Sequence, residues 1–91
     1  MIRLYPIGLN QNVVALPGMD IFFSYKTPVA AFISGRGFVR TDKFYSRTTS
    51  RHINKWLSNF EAEAEIVAQE ELDSLLDLIY YLPKKRKHAR I

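Results

Sequence analysis

From Asn12 to Leu16 the chain reads Asn-Val-Val-Ala-Leu, a short apolar run that predicts a β-strand. Pro17-Gly18 ends it with a turn, because Pro presets φ and Gly accepts positive φ. Asp20 to Ile33 is rich in Ile, Phe, Tyr and Val, and Ile21, Phe23 and Tyr25 alternate with Phe22, Ser24 and Lys26, so a strand is expected there. Pro28 cannot donate a ladder hydrogen bond, which implies an edge, a bulge or a break near Lys26-Thr27. Ser34-Gly35-Arg36-Gly37 reads as a hairpin connection and Phe38 to Tyr45 as the returning strand. The expected sheet is an antiparallel meander of three strands, or four.

Helical spacing follows. Ile53, Trp56, Leu57 and Phe60 fall at i, i+3, i+4 and i+7, one apolar face of a helix near 48–60 that should lie on the sheet. Ser46, Thr48, Thr49 and Ser50 all suit its N-cap. Residues 61–68 read two ways: Glu-Ala-Glu-Ala-Glu extends a helix, or Glu65-Ile66-Val67 is a connecting segment. Leu72, Leu75, Leu76 and Ile79 predict a second helix near 69–82, with Glu70, Glu71 and Asp73 in its first turn and Pro83 as its stop. The fold class is therefore α+β: a sheet followed by two short helices. With 91 residues, 1–83 make a single domain and 84–91 a basic, disordered tail. A domain this small gains from association, so a homodimer would add stability.

Composition removes several classes of function. The chain has no cysteine, which excludes disulfides and thiolate-held metals and favours an intracellular, cytoplasmic setting. No apolar run nears the ~18 residues of a membrane-spanning helix, and Met1 to Asn10 lacks the continuous apolar segment of a signal peptide, so no membrane partner is expected.

Charge changes the picture more. The net charge of +4 hides strong segregation. In residues 1–60 the only acids are Asp20 and Asp42, set against eight Lys and Arg; residues 61–83 carry seven acids and no base; residues 84–91 carry five bases. The first block can attract phosphate and the acidic block can repel it. Arg36, Arg40 and Lys43 flank the glycine-rich hairpin, where they could neutralise phosphates. On a helical wheel Arg51 and Lys55 oppose Ile53 and Trp56, Arg47 joins them if the helix starts early, and Thr48, Thr49 and Ser50 could donate to a phosphate at the helix start. Ordinary capping and solvated charge explain the same residues without a ligand.

Other candidates are thinner. His52 lies at the edge of the apolar face, where a packed or hydrogen-bonded histidine is the expected reading, because a general base needs an orienting partner and an acid. Tyr45 with Arg47, Arg51 and His52 would suit strand cleavage through a tyrosine nucleophile, but the supporting residues of such an enzyme are missing. His52 and His88 do not make a metal site, and no cofactor is expected. Pro83-Lys84-Lys85-Arg86-Lys87 resembles a nuclear-localisation signal and would serve equally as a nucleic-acid arm.

Phe23-Ser24-Tyr25-Lys26-Thr27-Pro28-Val29-Ala30 and the run from Tyr45 to Leu57, with its Tyr45-Ser46-x-Thr48-Thr49-Ser50-x-His52-Ile53 core, resemble a family of small bacteriophage and environmental viral proteins, a domain of unknown function. The resemblance spans Val13 to Leu76 and implies a phage or mobile-element origin; it carries over no activity and no site residue. The order of sheet then helix is also similar, in architecture alone, to the small DNA-binding modules of phage integrases. The reading is a non-enzymatic accessory protein that binds DNA or RNA through a basic sheet–helix face. The alternative is a protein-interaction module, an inhibitor of a host enzyme or defence complex, whose acidic block from Glu61 to Asp77 imitates nucleic acid.

Overall fold

A computed structural model describes residues 2–77. Five strands run as an antiparallel meander: β1 (Arg3–Gly8), β2 (Gln11–Leu16), β3 (Met19–Ser24), β4 (Thr27–Ile33) and β5 (Gly37–Thr41). Helix α1 (Arg47–Ser58) then crosses the sheet, and β6 (Glu65–Val67) returns parallel to β5. The chain is helical again over residues 69–77, here α2. The sheet order is β1-β2-β3-β4-β5-β6.

Among the described residues the class is α+β with two helices, but the sheet has six strands and is mixed, not three or four and antiparallel. The span read as one strand from Asp20 to Ile33 is a hairpin. Its two-residue turn is Tyr25-Lys26, with Tyr25 at φ 57°. The break expected near Lys26-Thr27 falls here, but the residue types did not mark it as a tight hairpin, because an aromatic residue in the left-handed region is uncommon. β1 was hidden because Pro6 and Gly8 weaken its strand signal and all six of its residues are exposed. Glu65-Ile66-Val67 neither extends a helix nor merely connects: it is a three-residue strand, β6, paired with β5. Of the outcomes open around Pro28, two are realised: the chain breaks at the Tyr25-Lys26 turn, and a bulge follows at Pro28. Phe22 faces Ala30 while Phe23 faces Pro28, which leaves Val29 as the extra residue. On the far side of this stretch buried Gln69 donates from Nε2 to the Pro28 carbonyl at 2.8 Å, satisfying an acceptor that β5 does not reach.

Successive strand residues point to opposite faces, so Ala30 and Ala31 belong to different cores. On one face Ile53, Trp56 and Leu57 of α1 pack on Phe22, Val29 and Ala30, and Trp56 lies flat on Phe22 with ring centroids 5.1 Å apart. On the other, Leu72 of α2 packs on Ala31, Val39 and Val67. Trp56 is 4% exposed, as its helical phase requires. Phe60 departs from expectation: α1 ends at Ser58, and Phe60 sits in the following turn, 54% exposed, its ring against Phe38 and Trp56. The basic segment 84–91 lies outside the described residues.

Candidate nucleic-acid interface

Ser46 starts α1. Its backbone is extended and its Oγ accepts from the Thr49 N–H at 3.1 Å, which satisfies one of the orphan donors of the first turn. From there the 3.6-residue period sorts the side chains. Arg47, Arg51 and Lys55 are exposed on the outer face, opposite the buried Ile53, Trp56 and Leu57, at steps of ~6 Å along the axis. The helix contains no acid, and its first turn opens on Arg47. A cation there opposes the positive end of the helix dipole.

Arg40 joins this surface from the sheet. It lies on the α1 face of β5 and its Nη1 donates to Asn54 Oδ1 at 2.9 Å. Lys43 is exposed on the approach to α1, its Nζ 5.3 Å above the Tyr45 ring. Thr48 and Ser50 are half-buried at the helix start. Two of the expected residues are placed elsewhere. Thr49 is buried, with its hydroxyl 3.0 Å from Ser24 Oγ, so it faces the core rather than a ligand. Arg36 stands at the β4–β5 turn, where its guanidinium bridges Glu65 and Glu71. Those carboxylates hold its pKa above the ordinary value and neutralise its charge locally.

His52 is a linking residue: its Nδ1 lies 2.8 Å from Ser24 Oγ, tying α1 to the end of β3, and its ring lies beside Tyr25. Burial, then the charges of Arg51 and Lys55, push its pKa below the ordinary value. Among the described residues no hydrogen bond joins Tyr45 to His52 or Arg51. Burial, followed by Asp73, Asp42 and Glu70, pushes its phenol up, the reverse of what activates a nucleophile. The acidic block is spread over the turn after α1, β6 and α2, and part of it is engaged: Glu65 and Glu71 by Arg36, Asp73 by Gln69 Nε2 at 2.9 Å. Among the described residues no three His, Asp or Glu side chains gather to hold a metal ion. No helix among them is long and apolar enough to cross a membrane.

One feature was not read from the sequence. Beside α1 the sheet face opens into a groove of about 410 Å³ lined by Asp20, Phe32, Phe38, Trp56 and Phe60. It adjoins a second recess of about 270 Å³ that shares Asp20, Trp56 and Phe60 and reaches Tyr5, Lys55 and Asn59. The available signal was Asp20 itself, an acid inside an otherwise apolar strand. No curated protein and no solved structure matches the chain. The model of DUF8033, a family of unknown function, matches residues 4–74, from β1 into α2, and the chain belongs to that family.

Proposed function

We propose that this chain is a small, non-enzymatic, phage-type accessory protein that binds DNA or RNA through the outer face of α1. The observation that carries the reading is the Arg47–Arg51–Lys55 stripe in a helix with no acid, flanked by Arg40 and Lys43. The arrangement works against the helix. Arg47 meets the dipole head-on, and Arg51 lies one turn from two like charges. Local rules are broken most often where function requires it. A phosphate backbone across the stripe would relieve both costs, with the hydroxyls of half-buried Thr48 and Ser50 near the helix start. Arg36 is outside this surface, because its charge is spent on Glu65 and Glu71. The same pairing weakens the alternative, an acidic surface that docks a host protein, since Glu65, Glu71 and Asp73 already have partners. The lack of cysteine fits a cytoplasmic setting, that of the host if the gene is phage-borne.

The test is equilibrium binding of labelled duplex DNA, single-stranded DNA and single-stranded RNA, followed by fluorescence anisotropy over a salt series. Three phosphate contacts should give log K against log salt a slope of about −2 to −3. The series should begin near 0.01 M, where the Debye length is about 30 Å and exposed charges act at longest range. Absence of binding to all three probes at that salt overturns the reading.

A further inference from the structure

We propose that the aromatic groove beside α1 seats one unstacked guanine, which makes the ligand of the basic face single-stranded nucleic acid read at guanine. The inference rests on the proposed function for the backbone contacts and on independent geometry for the base.

Asp20 lies on β3 opposite Ala15 and Phe32, on the α1 face of the sheet. Its half-buried carboxylate stands at the junction of the two recesses, among Phe32, Phe38, Trp56 and Phe60. It makes no hydrogen bond or ion pair with another described side chain. An acid beside aromatic rings with no donor among the described side chains keeps both oxygens available, so the site suits a ligand that brings N–H groups. The flanking rings call for a flat ligand. Phe60 is 54% exposed and Tyr5 45%, so both offer ring surface to stack on.

The neighbouring charges choose between ligands that combine these traits. A guanidinium or ammonium group would satisfy Asp20, but Lys55 lines the same recess and repels it. A nucleotide uses both, with its base edge on Asp20 and its phosphate toward Lys55. Lys55 also ends the Arg47–Arg51 stripe, so a strand laid along α1 arrives at the mouth of the groove. Among the bases, guanine presents N1–H and N2–H side by side, matching the two oxygens of one carboxylate. Cytosine and adenine offer one amino group beside an acceptor nitrogen. Uracil and thymine offer one N–H between two carbonyls that the carboxylate repels. In a duplex this guanine edge is occupied by pairing, so the ligand must be unpaired.

The experiment compares binding of an oligothymidylate with the same oligomer carrying one central guanosine or inosine, and titrates the protein with guanosine monophosphate while following Trp56, the sole tryptophan. The guanosine oligomer should bind about tenfold or more tighter than oligothymidylate. Inosine, which lacks the N2 amino group, should lose most of that gain. Asp20→Asn should abolish the preference and keep the salt-dependent affinity. Equal affinity for all three oligomers with an intact salt slope overturns the guanine seat and leaves the basic face standing. No oligomer binding, but Trp56 quenching by guanosine monophosphate that Asp20→Asn removes, overturns the basic face and leaves the seat standing. Quenching by arginine amide and not by guanosine monophosphate overturns the seat in favour of a cationic side chain. The inosine comparison needs no variant, so the test holds even if Asp20→Asn folds poorly.

Discussion

Replacing Arg47 and Arg51 together by Gln should weaken nucleic-acid binding and make the protein more stable, a pairing of signs that separates a binding surface from a structural one. Both side chains are exposed on the outer face of α1. Each phosphate contact contributes about 0.7 to the salt slope on a single strand and about 0.9 on duplex DNA, so losing two should flatten it by roughly 1.4–1.8. If the two proteins converge near 1 M salt, the affinity at about 0.05 M should fall roughly 70- to 200-fold.

Stability moves the other way. Removing a cation from the first turn returns about 0.3–1 kcal/mol of helix-dipole energy. Arg51 is four residues from both Arg47 and Lys55, and relieving those two like-charge pairs returns about 0.2–0.5 kcal/mol each. The sum is about 0.7–2 kcal/mol, largest at low salt because screening removes it. Urea denaturation followed by Trp56 fluorescence reads the stability, and anisotropy with a labelled strand reads the affinity. An unchanged salt slope would refute the role of these arginines. Lower affinity accompanied by lower stability would show that the helix, not a contact, had been lost.

The remaining predictions address the scaffold and the residues around the site. Trp56→Ala should cost about 3–5 kcal/mol, measured as a shifted urea midpoint by circular dichroism; a cost below ~1 kcal/mol would contradict its packing on Phe22 and Phe38. Because burial and then Arg51 and Lys55 hold the His52 pKa below its ordinary 6.5, the unfolded chain binds that proton more readily. Stability should therefore be level above neutrality and fall as pH drops through 6.5 toward the folded value, and His52→Gln should remove this component; a urea midpoint that ignores the substitution at acid pH would refute it. Arg36→Gln should leave the salt slope for nucleic acid unchanged, since its charge already faces Glu65 and Glu71; a slope flattened by ~0.7 or more would place Arg36 back in the interface.

What was legible in the sequence follows from which physical signals are local. The α1 face was, because Ile53, Trp56 and Leu57 share one side of a 3.6-residue period and bury together. Phe60 continues that spacing arithmetically, but the helix stops at Ser58, and periodicity alone does not mark the stop when no Gly or Pro does. Pro28 signalled a break near Lys26-Thr27, but not the tight hairpin that makes it, because such a turn is read from Asn, Asp or Gly, and here Tyr takes the positive φ while its N–H bonds the Asn10 carbonyl of the neighbouring turn. That compensation is tertiary and leaves no mark in the local pattern. The groove is legible only as an anomaly, the acid Asp20. Its neighbours Phe32, Phe38, Trp56 and Phe60 come from three parts of the chain, and nothing local assembles them. Arg36 shows the converse: its charge was legible, but the acids that cancel it arrive from β6 and α2.

The topology explains how α1 can carry such an unfavourable charge pattern. β5 and β6 are parallel neighbours, and parallel neighbours need a crossover of a dozen or more residues. α1 is that crossover, so its place over β3, β4 and β5 is set by a connection the sheet requires as well as by its own helix propensity. Burial of Ile53, Trp56 and Leu57 then holds it, at about 1.5–3 kcal/mol for each large apolar side chain. Against that sum, the roughly 0.7–2 kcal/mol lost to the arginines is minor. The inner face of α1 therefore carries the stability and leaves the outer face free to vary. The residues 61–64 that lead back to β6 include Glu61 and Glu63, which begin the acidic block as the chain leaves the helix. On the proposed reading, a strand held at Arg47, Arg51 and Lys55 would meet Glu61 and Glu63 where the chain leaves the helix, and the side toward β1, where the aromatic groove opens, would be the more favourable path for its next nucleotide.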